Sequence, residues 1–110
     1  MEKRKISVDQ VEEDLDYLAG TDLQHAQEKT EVQRKEYAYK KIKQICFLQA
    51  SGTIAEKTAL ADVHDKTAAA HELYCAALEQ SLSTENNRKT AQLRIDVWRS
   101  LNKALREGNI

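Results

Sequence analysis

Between Arg34 and Lys43 the chain reads RKEYAYKKIK, five basic side chains and two tyrosines around a single acid, Glu36. Cationic side chains neutralise phosphates, and an aromatic ring gives any nucleobase a face to stack on. On a helix, Arg34, Tyr37 and Lys41 share one side, while Tyr39, Lys40 and Lys43 occupy an adjoining one. With Lys35, these residues form a first candidate surface for single-stranded DNA. The competing reading is a solvated helix face whose tyrosines turn partly into a bundle and whose lysines meet only water.

A second basic series follows in NNRKTAQLRIDVWRSLNKALR. Arg88, Arg99 and Arg106 recur at spacings of eleven and seven, with Lys89, Arg94 and Lys103 among them. Arg88, Lys89, Arg94 and Arg99 are the second candidate DNA-binding set. Such stripes, repeated in an assembly, would build a field that no single copy has. An amphipathic helix with a charged outer face accounts for this segment equally well.

Other reactive residues form no persuasive constellation. His64, His71 and Cys75 fall roughly along one helix side, and a histidine and thiolate four residues apart can share a zinc ion. Two further ligands would be needed, and Cys46 stands alone in its segment. There is no glycine-rich phosphate loop, no nucleophile elbow and no pair of carboxylates in apolar surroundings. We therefore expect no metal, no cofactor and no enzymatic activity. The acids Glu12, Glu13, Asp14 and Asp16 read as a solvated face, a mask for a basic surface, or an imitation of DNA.

The elements carrying these residues are helices. The chain has 110 residues, no proline and three glycines, and it is rich in good helix formers. We expect one all-α domain over residues 1–110. Ser7–Gln10, Thr21–Gln24 and Thr53–Glu56 have the form of capping boxes, and Gly20 and Gly52 suit the left-handed turn that ends a preceding helix. These signals predict helices over 8–19, 22–50 and 53–106, the last with a possible break near 83–86 and an end at Gly108. The series Leu60, Val63, Thr67, Ala70, Tyr74, Ala77 and Ser81 is heptad-like. Around Ser51–Gly52 a long, coiled-coil-like antiparallel helical hairpin is expected, with a short N-terminal helix before it. Ile95, Trp98, Leu101 and Leu105 then lie beyond the reach of the second helix and are assigned to a homo-oligomer interface.

The net charge of −1 conceals alternating segments. Residues 8–22 hold six acids and no base, whereas residues 23–50 and 83–110 each sum to +3. Acidic helices packed beside basic ones would account for the pattern as well as a partner would. No apolar run is long enough to span a bilayer, the start MEKRKISVDQ lacks the apolar region of a secretory signal, and the two cysteines show no disulfide spacing. The expected setting is cytoplasmic, without membrane contact.

The stretches FLQASGTIAEKTALA at 47–61 and RKTAQLRIDVWRSLNKALREGNI at 88–110 resemble small helical proteins encoded among the early, DNA-metabolism genes of bacteriophages. The plan is similar to that of the recombination mediator of T4-like phages. The resemblance implies an oligomeric accessory protein of recombination or replication in the host-cell cytoplasm. It would bind single-stranded DNA and present it to a recombinase, with a recombinase or single-strand-binding protein as partner. The alternative is a helical inhibitor or adaptor that engages a host nuclease or defence factor through its acidic first helix.

Overall fold

The computed structural model describes residues 6–108, so residues 1–5 of the basic start and Asn109 and Ile110 of the tail lie outside the described residues. Three helices follow in order: α1 (Val8–Gln49), α2 (Ile54–Val63) and α3 (Asp65–Arg106). The protein is an all-α helical hairpin, and none of the described helices is long and apolar enough to cross a membrane.

Two of the expected caps form. The Gln10 N–H donates to Ser7 Oγ at 3.1 Å, and the Glu56 N–H donates to Thr53 Oγ at 3.2 Å. Each hydroxyl thereby satisfies a donor that the first helical turn leaves without a backbone partner. Gly52 has φ of 119°, and a Cβ there would run into the Glu56 carboxylate. Only glycine suits that turn. Gly108, at φ 72°, follows the end of α3.

The expected boundary at Gly20 is absent: α1 runs unbroken from residue 8 to residue 49. Thr21 does not cap. Its hydroxyl donates to the Tyr17 carbonyl at 2.6 Å, one turn back along the same helix. A glycine inside a helix costs about 1 kcal/mol relative to alanine, less than tertiary packing on both sides of it can supply.

The predicted 53–106 helix is also corrected. It runs unbroken through 83–86 but is interrupted at His64, whose extended backbone (ψ 138°) closes α2 and opens α3. The His64 N–H bonds to the Ala61 carbonyl at 3.4 Å, and its Nδ1 accepts from the Lys66 N–H at 3.0 Å. One residue thus serves as cap for both helices. The break resets the helical phase, so Leu60 and Val63 are 51% and 74% exposed while Ala61 is buried.

The described residues divide into two compact units, residues 6–25 with 83–108 in one and Ala26–Leu82 in the other. Within the first, α1 and α3 run antiparallel around Val11, Ala91 and Ile95, with Thr84 and Asp14 also buried. Ile95, assigned from sequence to an oligomer interface, is 2% exposed and belongs to this core. Trp98 is half-buried, whereas Leu101 and Leu105 face outward. The second unit buries Cys46, Ala61, Thr67, Ala70 and Ser81. From Thr67 to Ser81 the covered positions of α3 alternate by threes and fours, the heptad rhythm of the sequence.

Candidate nucleic-acid interface

α1 turns Tyr37, Lys40, Lys41, Gln44 and Phe47 to one side, at offsets of three, four, seven and ten from Tyr37. With Lys43, and with Thr58 and Ala61 of α2 as the facing wall, they line an open groove of about 770 Å³. This lies within the range of roughly 300–1,000 Å³ common for ligand sites. Tyr37 is 70% exposed, a ring face available for stacking. Phe47 is half-buried and carries Lys57 Nζ 5.4 Å from its ring centroid, a cation–π contact that brings a further positive charge to this region.

The lysines differ in their present engagements. Lys40 Nζ lies 2.8 Å from Glu36 and Lys43 Nζ 2.6 Å from Asp62. The Glu36 carboxylate holds the Lys40 pKa above its usual value, and Asp62 does the same for Lys43, in each case first through the hydrogen bond. Both lysines therefore stay charged at neutral pH. Lys41 is exposed and makes no ion pair with a described residue. Lys43–Asp62 also fastens α1 to α2 and so helps hold the two walls of the groove together. The site can bind anions and stack a planar ring.

Several sequence-predicted site residues are placed elsewhere. Tyr39 leaves the groove and packs against His71, with centroids 5.0 Å apart, and Tyr74, at 6.2 Å. Arg34 and Lys35 flank Glu31 at 3.8 and 3.6 Å, outside the groove lining. Phe47, and not Tyr39, is the second aromatic ring in the groove lining. Its offset of ten from Tyr37 was visible in the sequence, but without α2 as a second wall nothing marked it out.

The second basic set belongs to the first unit and is divided in use. Arg94 makes a two-pronged pair with buried Asp14, Nε to Oδ2 at 2.9 Å and Nη2 to Oδ1 at 2.7 Å. That bond, joined by one from Gln10, holds Asp14 below the usual carboxylate pKa against the opposing effect of burial. Arg88 donates to the Leu18 carbonyl and to Thr21 Oγ, both at 2.7 Å, and lies 3.3 Å from Asp22. Both arginines are fasteners between α1 and α3 rather than free cations. Lys89 and Arg99 remain exposed.

Around His71, Cys75 Sγ lies 3.7 Å from the imidazole. Among the described residues no group of three or more His, Cys, Asp or Glu side chains is placed to hold a metal ion. Compared with known protein families, curated proteins and solved structures, the chain has no significant match to any.

Proposed function

We propose that the protein binds single-stranded DNA through the α1–α2 groove, as a non-enzymatic accessory factor that works as an oligomer. The observation that carries this reading is the meeting of Lys40, Lys41 and Lys43 with exposed Tyr37 and with Phe47 in one open groove. Phosphates would pair with the lysines while a base lies on the Tyr37 ring, a combination indifferent to sequence. The bacteriophage resemblance supports the finer reading, in which the bound strand is presented to a recombinase in the host cytoplasm. No chemical step is part of this role. Binding and release are the whole task.

A second reading is favoured by the outer face of α1, where Asp9, Glu12, Glu13 and Asp16 are all exposed. Asp14 drops out of that surface because Arg94 holds it in the core. Here the acidic face would engage a basic site on a host protein.

Fluorescence anisotropy with a labelled single-stranded oligonucleotide separates the two. Under the first reading, Lys40→Ala/Lys41→Ala/Lys43→Ala weakens binding and Glu12→Gln/Glu13→Gln/Asp16→Asn leaves or improves it. Affinity untouched by the lysine variant removes the groove as the site.

A further inference from the structure

Besides the groove, the second unit contains a smaller cavity of about 370 Å³, lined by Tyr39 of α1, Asp62 of α2, and Thr67, Ala68, His71 and Glu72 of α3. All three helices contribute to it, and its size falls at the small end of the range for ligand sites. No lysine or arginine is among these residues, and the Asp62 and Glu72 carboxylates give the lining a negative charge.

Two of its polar groups lack partners. Thr67 is 2% exposed, yet its hydroxyl makes no hydrogen bond, a rare condition for a buried polar group. Thr21, Thr30, Thr58 and Thr90 each donate to the carbonyl four residues back in their helix. For Thr67 that carbonyl belongs to Val63, on the far side of the break at His64. Glu72 is exposed and makes no ion pair or hydrogen bond with a described residue. Asp62 is engaged, and its partner is an ammonium: Lys43 Nζ lies 2.6 Å from Oδ1.

We propose that this cavity binds an alkylammonium ion of the kind that a polyamine carries. Carboxylates, hydroxyls and an imidazole nitrogen all accept hydrogen bonds, whereas an ammonium brings three donors and no acceptor. Its charge balances Glu72, the Thr67 oxygen gains the partner it lacks, and the Ala68 methyl with the Tyr39 and His71 rings suits an alkyl chain. A metal ion fits less well. Among the described residues no three His, Cys, Asp or Glu side chains are placed to hold one, and metal ligands must be shorter and more strictly placed than the acceptors of an ammonium. None of the six lining residues belongs to the groove, so the proposal does not depend on the nucleic-acid reading.

The test is a titration of the full, isotope-labelled chain with putrescine, followed by amide NMR shifts at constant ionic strength. A dissociation constant of about 1 mM is expected of so small a ligand, with the shifts centred on residues 67–72. Glu72→Gln, at an exposed position, should keep the fold and weaken binding about tenfold. Thr67→Val keeps the side-chain shape and removes only the unpaired hydroxyl. It should leave the melting temperature unchanged or higher and still weaken putrescine binding several-fold. Shifts no larger here than at Glu12, Glu13 and Asp16 overturn the proposal, as does binding indifferent to Glu72→Gln. Magnesium chloride that reproduces the putrescine shifts overturns it too, because the cavity would then read charge alone. So does a Thr67→Val chain that melts markedly lower, since the hydroxyl would then have a partner within the fold. Putrescine binding by a chain indifferent to oligonucleotide would leave this site standing and remove the groove, and the reverse result would remove this site alone.

Discussion

Replacing Lys40, Lys41 and Lys43 together with alanine removes the ammonium groups that line the groove. Each contact that neutralises a phosphate of a single strand contributes about 0.7 to the slope of log K against log salt. Three such contacts amount to a slope of about 2. Referred to 1 M salt, where the counterion contribution vanishes, the loss is about 2.7 decades at 50 mM and about 1.5 decades at 200 mM. The triple variant should therefore bind several hundredfold more weakly at the lower salt and about thirtyfold more weakly at the higher. Its own salt dependence should be flatter by about 2 units.

Two refinements follow from the pairs already present. Lys41 makes no ion pair with a described residue, so Lys41→Ala alone should show its full share, about eightfold at 50 mM. Lys40 must exchange Glu36 for a phosphate, so Glu36→Gln should tighten binding. Because both paired lysines have raised pKa values, binding should be flat between about pH 6 and about pH 9, below the titration of even an ordinary lysine. Anisotropy titrations at four salt concentrations read all of this. A triple variant whose slope matches the wild type would refute the argument, however much its affinity had changed.

Gly20→Ala should raise stability by about 0.5–1 kcal/mol, since α1 is continuous there and nothing lies within 4 Å of an added Cβ. A lower melting temperature would mean that a left-handed turn occupies the position after all. Ile95→Ala should cost about 2–5 kcal/mol in urea unfolding, because this is the largest fully buried side chain of the described residues. A cost below about 1 kcal/mol would place Ile95 outside the core. Asp14 has a folded-state pKa below its ordinary 3.8, so its stabilisation is complete above that value and fades as pH falls through the depressed one. Asp14→Asn should thus lower stability at neutral pH and flatten the acid limb of the stability profile. An unchanged acid limb would count against the Arg94 pair. Thr53→Ala should cost about 1 kcal/mol by removing the cap of α2, seen as a lower urea midpoint; no change would show that the turn holds itself.

Local chemistry was legible without coordinates. The absence of proline and the abundance of helix formers decide an all-α chain. Ser7 and Thr53 announce their helix starts because a cap is settled within four residues. Gly52 announces its turn for the same reason, and the heptad from Thr67 to Ser81 survives as the covered side of α3. Each of these depends on neighbours in sequence. Tertiary structure decided the rest. Gly20 and Thr21 look like a stop and a start, yet Arg88 reaches from α3 to bond Leu18 and Thr21 across that point. His64 looks like one more helical residue until α2 and α3 must take different phases around Ala61 and Thr67. The tyrosine that stacks inward and the arginines consumed by the Asp14 carboxylate and the Leu18 carbonyl are likewise set by groups some 30 to 80 positions away. A local pattern fixes what a residue can do, but only the helix packed opposite determines whether that charge or ring is still available at the surface.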